Sequence, residues 1–558
     1  MDCYRCISAC CATNFRNDLR GLTIKYKGTQ LLIASAVSAL LLLTGPSSAQ
    51  ASVDLPDRIR KSLDAQDPGT PLQHFYSRRM HEPVWFGDRG LLSIAGTVPG
   101  LFASTINDGL RPEDYDYTAL RRTIAAYQVG LRPLPPVELE LALTGAVLAY
   151  ASDMLRGRVR PEEVYSNWES APRELDLARY LQEALDAGRL IPSLRSLAPR
   201  HAHYHRLRDL LWRYRLLELE GGPEAVPHGE TLKIGLRSPR VAALRRRLLQ
   251  IGDLTPAAAE SASDLFDATL ESAVKRYQTR HGLQPDGVAG TLTLGSLNVP
   301  LEERIRTIEF NMERWRWLPR DLGERFITVN IAGFQLYVVE HDEITMTMPV
   351  VVGKRYHSTP VFSGSMTYLV FSPYWNVPRS IAVNEMLPKL RENPAYLEQE
   401  SMQVFRGWEQ PIRPLDPAAI DWSSVEPKNF PYRFRQLPGA HNALGRVKFM
   451  FPNKYSVYLH DTPAKGLFSR AARDFSHGCI RVSRPMELAE YLLSDQPEWD
   501  AERIARAGER GVEQSVPLAS SWPVHVLYWT SWVGPEGEVH FRDDVYGRDK
   551  QLAEALHP

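Results

Sequence analysis

Of the five cysteines in this 558-residue chain, four precede residue 12, and the fifth, Cys479, stands alone in Ser476-His477-Gly478-Cys479-Ile480-Arg481. A chain with that distribution cannot build an internal disulfide framework in its folded part. Hydrophobic cores must hold its domains, and Cys479 needs a reason of its own. One reading is a small buried hydrophobe, since free cysteine is among the most buried residue types. The other is a nucleophile. Gly478 leaves room for a ligand to approach the backbone, while His477 and Arg481 supply positive surroundings that favour the thiolate. Residue types alone leave both open.

An upstream segment separates the two. Val457-Tyr458-Leu459-His460 alternates as the tip of a strand, and His460 precedes Cys479 by nineteen residues. A cysteine nucleophile requires an imidazole within hydrogen-bond reach to take its proton, and a strand-end histidine facing a loop cysteine supplies one. A papain-like arrangement fits poorly, because there the histidine follows the cysteine far downstream. A metal held by His460, His477 and Cys479 is not expected either, since the cysteine lacks paired partners at zinc spacing.

Length sets a prior of about three or four domains. Lysine plus arginine equals aspartate plus glutamate at 66 each, so no global field argues for nucleic acid. Arg16, Arg20, Lys25 and Lys27 precede the apolar run Leu31 to Thr44 and the small-residue stretch Ala49-Gln50-Ala51. This reads as a signal peptide over 1–51, with export to the periplasm. The apolar run falls short of the roughly twenty residues of a bilayer-spanning helix, so cleavage is expected over retention as an inner-membrane anchor. Membrane contact is expected through this segment only.

The rest of the chain changes character three times. From 52 to about 230 it is helical: Leu139, Leu143, Val147, Ala151 and Leu155 recur every four residues along one helix face. His201, His203 and His205 alternate, but Leu207, Leu210, Leu211 and Trp212 follow at helical spacing, where alternate residues do not face one site. Residues 231–300 form a small unit of helices and glycine-rich turns. Arg240 and Arg245 to Arg247 on its first helix are expected to be a solvated face. A linking helix over 301–320 follows, then alternating strands from Phe326 onward. Between 379 and 440 the strand signal lapses into a stretch with eight prolines, too long for an ordinary turn and suited to a lid.

Asn442-Ala443-Leu444-Gly445-Arg446-Val447-Lys448-Phe449, Phe451-Pro452-Asn453, Tyr458 to Pro463 and Ser476 to Val482 together resemble the catalytic domain of L,D-transpeptidases, the YkuD-type peptidoglycan cross-linking enzymes. The resemblance covers about 321–550. Tyr76, Arg79, Pro83, Trp85 and Asp108 to Tyr115 resemble the scaffold domain of the large, three-part YcbB-type members. Asp267, Ala273, Val274, Tyr277, Gln278, Gly282, Leu283, Asp286, Gly287, Gly290 and Thr291 resemble a three-helix peptidoglycan-binding domain.

The resemblance implies a multidomain α+β chain: a helical scaffold domain, a small peptidoglycan-binding domain, and a mainly β catalytic domain, sandwich or barrel-like, with a capping insertion. It implies Cys479 as nucleophile and His460 as general base and acid, with a backbone carbonyl near the histidine orienting its ring. Gly478, Tyr458, Ser476, His477 and Arg481 are oxyanion or substrate candidates. Asp461 is expected to cap the turn into Thr462-Pro463. Peptidoglycan stem peptides and glycan are the implied partners, other cell-wall synthases are further candidates, and no cofactor is implied. A hydrolase of the same fold and a catalytically silent wall-binding scaffold are the alternatives.

Overall fold

The computed structural model describes residues 54–66, 68–169, 173–255, 264–407 and 413–556, with the backbone of two short paired strands, Lys25–Tyr26 and Thr29–Gln30. The apolar run and cleavage site expected of the leader lie outside the described residues. No described helix is long and apolar enough to cross a membrane.

The described residues up to Ala103, with Arg111–Ala149, make one compact unit. Helix α1 (Pro71–Arg78) starts in a capping box, in which Gln73 and Thr70 satisfy each other's backbone N–H groups. Helix α2 (Pro136–Arg156) buries the face that the four-residue spacing marks out, Leu139, Leu143, Val147, Ala151 and Leu155. One turn of α2 carries a buried carboxylate. Glu140 accepts from the backbone N–H of Val84 at 2.5 Å and of Trp85 at 3.0 Å, and from the Tyr76 hydroxyl at 2.7 Å. The indole of Trp85 donates to Thr144 at 2.8 Å. Tyr76 and Trp85 therefore serve as buried anchors of this unit. Glu140→Leu leaves the Val84 and Trp85 N–H groups unpaired at roughly 1–3 kcal/mol each, while the Tyr76 hydroxyl keeps Thr144 Oγ1 at 2.7 Å. A loss of about 2 kcal/mol or more is expected from the denaturant midpoint of this unit, and a loss below about 1 kcal/mol would contradict the assignment.

The second unit comprises Ser104–Leu110 and the described residues from Tyr150 onward. Helix α3 (Ala202–Leu219), with His201 at its N-cap, carries the alternating histidines, and no cluster able to hold a metal occurs among the described residues. His203 instead stacks on Trp315 with ring centroids 5.6 Å apart, and burial lowers it to about 4. His201 packs on the same indole and meets the Pro319 carbonyl at 3.2 Å.

Helices α4 (Pro239–Gln250), α5 (Ala268–Arg280) and α6 (Thr291–Leu297) surround a core of their own, which includes Val241, Leu244, Leu270, Val274, Tyr277 and Leu294. Asp267 caps α5 through Leu270 N–H at 2.8 Å. Gln278 ties the glycine turn together, accepting from Gly287 N–H at 2.9 Å and donating to Asp286 at 2.7 Å. The basic cluster on α4 departs from the expected solvated face. Arg245 and Arg247 are buried, the first paired with Asp267 at 2.8 Å and the second donating to the Pro223 and Leu297 carbonyls. Their guanidiniums satisfy loop carbonyls and a helix cap, and only the stems follow helical periodicity, so spacing could not reveal it.

Helix α7 (Leu301–Arg316), expected as a linker, is core. Ile305, Ile308, Met312 and Trp315 join one hydrophobic cluster with Tyr204 and Leu207 of α3 and with the strands that follow. Arg314, almost fully buried, pairs with Asp549 at 2.6 Å.

Beyond α7 run β1 (Arg325–Asn330), β2 (Gln335–Glu340), β3 (Glu343–Gly353), β4 (Phe362–Phe371), β5 (Trp375–Asn376), β6 (Met402–Arg406), β7 (Tyr432–Gln436), β8 (Val447–Met450), β9 (Leu459–His460), β10 (Asp474–Ser476), β11 (Ile480–Val482) and β12 (Gln514–Leu527). Nine of them form a sheet in the order β10-β3-β11-β9-β8-β4-β12-β1-β2, and β2 also pairs with β3. The sheet thus closes on itself through the long strand β3, which bonds β2 with its first half and β11 and β10 with its second. Barrel-like closure removes exposed edges.

Residues 379–440 hold the two strands that the sequence pattern missed. β7 is the middle strand of a separate three-stranded sheet, paired with β6 on one side and β5 on the other, over a core of Met386, Leu390, Leu397, Val404, Trp422 and Phe434. Short strands alternating arginine with aromatic residues, as in Tyr432-Arg433-Phe434-Arg435, carry little hydrophobic signal.

Candidate active site

Strands β9 and β11 pair in parallel, with Leu459 against Ile480 and His460 against Arg481. One step earlier in that register Tyr458 stands opposite Cys479, and the Ile480 N–H donates to the Tyr458 carbonyl at 3.1 Å. Because side chains alternate along a strand, Tyr458, His460, Cys479 and Arg481 project from the same face. The diagonal from Cys479 to His460 is then about 7–8 Å between backbones, a span that side chains bridge.

Each member is fixed by its surroundings. His460 is buried, and its Nδ1 lies 2.5 Å from the Asp461 carbonyl. That bond places the proton on Nδ1 and leaves Nε2 free to accept one. Desolvation, and secondarily the charge of Arg481, pushes the imidazole down to about 3, so the ring is neutral at ordinary pH. The Asp461 carboxylate is occupied elsewhere. It accepts from Thr462 N–H at 2.6 Å, from Arg446 N–H at 2.9 Å and from Lys465 at 2.5 Å. Gly445, at φ +61, is the only residue type that fits there: a Cβ would sit 2.4 Å from that carboxylate.

Cys479 is half-buried and free. Its sulfur faces the Ser456 carbonyl at 3.8 Å, and Tyr458 offers both its backbone N–H and its hydroxyl to it. The positive surroundings expected of the thiol are weaker than its burial. Desolvation raises its pKa above the ordinary thiol range, against which Tyr458 and then Arg481 act. His477 contributes nothing to that balance, because its ring turns away to meet Glu385 of the 379–440 insertion and packs 5.2 Å from the His357 ring. Arg481 stays near the thiol with its Nε unpartnered among the described residues.

The loop itself is stapled. Ser476 is buried, accepts from Gly478 N–H at 3.1 Å and donates to the Cys479 carbonyl at 2.5 Å. Its hydroxyl is therefore committed within the loop, and so is the Gly478 N–H considered for an oxyanion. Gly478 adopts φ +115, and its carbonyl accepts from Thr359 Oγ1 at 2.9 Å. The same hydroxyl accepts from Gly353 N–H at 2.9 Å, which ties the loop to the end of β3.

Three contributors had no compact signature. Thr359 is one. Asn453 is another: its side chain holds Tyr455 and Val457 N–H and the Phe451 and Val457 carbonyls, shaping the turn that presents Ser456 and Tyr458. Phe-Pro-Asn was the available signal. Glu385 is the third, reachable only through tertiary contact.

Residues 324–508 match the family model of the L,D-transpeptidase catalytic domain, YkuD. The chain carries an L,D-transpeptidase catalytic domain. Residues 70–211 match the scaffold domain, and 237–297 the "Putative peptidoglycan binding domain". A "Putative L,D-transpeptidase" of Haemophilus influenzae is 34% identical over 245 residues, 44% of this chain. The match spans about half of that relative, 48% of its length. Two solved structures are similar to part of the chain. An L,D-transpeptidase from Mycobacterium smegmatis is 16% identical, over 37% of this chain and 58% of its own, at a TM-score of 0.18. An L,D-transpeptidase fragment from Xylanimonas cellulosilytica is 15% identical, over 54% and 99%, at 0.17.

A desolvated thiol on the same face as a neutral imidazole gives the transpeptidase domain a defined pH response. Alkylation of Cys479 by iodoacetamide is expected to rise steadily from about pH 6 through the alkaline range, because the thiolate forms only above the ordinary thiol pKa. A rate flat between about pH 6 and about pH 8 would mean a preformed thiolate–imidazolium pair, and would contradict the neutral resting state.

Proposed function

We propose that the protein is a peptidoglycan L,D-transpeptidase of the periplasm, exported on its N-terminal segment, with Cys479 as acyl carrier. The observation that carries this reading is the parallel pairing of β9 and β11, which sets Tyr458, His460, Arg481 and Cys479 on one face. The family match of the surrounding domain supplies the substrate class.

His460 Nε2 takes the thiol proton as sulfur attacks the carbonyl of the third residue in a donor tetrapeptide stem. The C–N bond to D-alanine breaks, His460 returns the proton to the departing amine, and a thioester remains on Cys479. The side-chain amine of a second stem's third residue then attacks the thioester, giving a 3-3 cross-link and restoring the thiol. The energy of the cleaved peptide bond is retained in the thioester, so the transfer draws on no separate activation.

Tyr458, whose N–H and hydroxyl favour the thiolate, is assigned to stabilise that charge as it forms and then the oxyanion. Removing such a donor costs about a hundredfold or more in turnover. Arg481, with a donor to spare, is suited to a stem carboxylate. The insertion 379–440 acts as a cap over donor and acceptor, and the 231–300 domain holds the glycan strand.

Full chain incubated with disaccharide-tetrapeptides is expected to yield dimers that have lost one D-alanine, read by mass spectrometry. Cys479→Ala should abolish them. Tripeptides alone would point to the hydrolase alternative, and unchanged substrate would overturn both enzymatic readings. A carbapenem is expected to acylate the protein once, and an adduct that survives Cys479→Ala would remove Cys479 from the nucleophile role.

A further inference from the structure

A pocket that the donor half-reaction does not use opens on the loop that bears Cys479, through His477. It holds about 330 Å³, the lower end of the range for small-ligand sites, and lies between the catalytic loop and the capping insertion. Tyr356 and His357 line it from the turn after β3, Ser380, Asn384 and Glu385 from the start of the insertion, and His477 from the loop that bears Cys479.

The lining contains one carboxylate and no lysine or arginine. That carboxylate is fixed by design of the backbone. Ala382–Met386 forms a π-helical turn, a rare arrangement that recurs at functional sites. Ala382 and Met386 are buried at its two ends, whereas the Glu385 side chain keeps 46% of its surface exposed and reaches His477 Nε2. His477 is in turn packed against His357, and it stands two residues from Cys479. A carboxylate is thereby held in the wall of a small pocket two residues along the chain from Cys479, with Ile381, uncharged polar side chains and imidazoles as its other walls.

We infer that this pocket receives the acceptor: Glu385 binds the primary ammonium of the second stem peptide and aims it at the thioester on Cys479. The inference rests on the transpeptidase reading above and names the acceptor side of the same site. A carboxylate recognises a primary ammonium by charge-assisted hydrogen bonds. The bound ammonium releases one proton to solvent and becomes a free amine. Its lone pair attacks the thioester carbonyl, the C–N bond forms, the C–S bond breaks, and the second amine proton passes through His460 to the leaving sulfur. No contact joins Glu385 to the sulfur among the described residues, so it is expected to govern transfer without governing acylation.

Glu385→Gln in the full chain separates the two, with disaccharide-tetrapeptide as donor and disaccharide-tripeptide as acceptor. D-alanine release and acyl-enzyme formation are expected to stay within about twofold of wild type, which also reports an intact fold. The acceptor KM is expected to rise about tenfold, and product to shift from cross-linked dimer towards hydrolysed tripeptide. Glu385→Lys should deepen both effects, and Glu385→Asp should restore part of the cross-linking. In the wild-type chain, raising salt from about 0.05 M to about 0.5 M should raise the acceptor KM while leaving donor acylation unchanged. An unchanged ratio of dimer to tripeptide in Glu385→Gln, or an equal loss of acylation and transfer, would overturn the acceptor assignment alone. Absence of D-alanine release from wild type would overturn the transpeptidase reading with it.

Discussion

Everything at this site depends on one short parallel pairing. β9 has two residues and β11 three, yet their register decides that Tyr458 faces Cys479 and that His460 shares its side of the sheet. So short a pair contributes few ladder bonds of its own, and neighbours hold it. Strand β3 flanks β11, β8 flanks β9, and the Ser476 staple and Thr359 fix the loop between them. A one-residue slip would send every functional side chain to the opposite face. The closed sheet and the helix core of α3 and α7 packed with it make such a slip costly, which gives the large core a direct bearing on the chemistry.

The electrostatics follow from burial. Low dielectric disfavours charge on both partners, lowering the imidazole and raising the thiol, so the resting pair is neutral. Such a site stores no reactive thiolate. On the proposed mechanism it forms one when a substrate carbonyl is in place, under donors from Tyr458 and the field of Arg481. A neutral thiol is also protected, since thiolate character governs oxidation. The 379–440 insertion also reaches this site, where its Glu385 meets His477 of the Cys479 loop.

The sequence was informative where function and structure are written into a few adjacent residues. Cys479 and His460 stood out because both lie in short, compositionally odd segments. The helix of α2 was legible from a four-residue repeat, and the glycine turn of the 231–300 domain from its punctuation. What stayed hidden was tertiary. Arg245 and Arg247 looked like a wet face because helical spacing tracks stems and is blind to where a guanidinium ends. α7 looked like a linker because its partners come from both sides in sequence, with Tyr204 before it and the barrel strands after. Ser476 looked like a substrate contact, and only the folded loop commits its hydroxyl to Gly478 and Cys479. Glu385 sits 92 residues from His477, a separation at which no local pattern operates.

The central claim is that Cys479 carries the acyl group, and a rapid-quench experiment addresses it most directly. Full chain mixed with a disaccharide-tetrapeptide donor, acid-quenched within the first turnover and digested, should yield one modified peptide, the one containing Cys479. Its mass should rise by that of the donor less D-alanine, and hydroxylamine should remove the adduct as expected of a thioester. A transient adduct mapped to any other residue, or D-alanine released with the Cys479 peptide unmodified throughout the first turnover, would contradict the account.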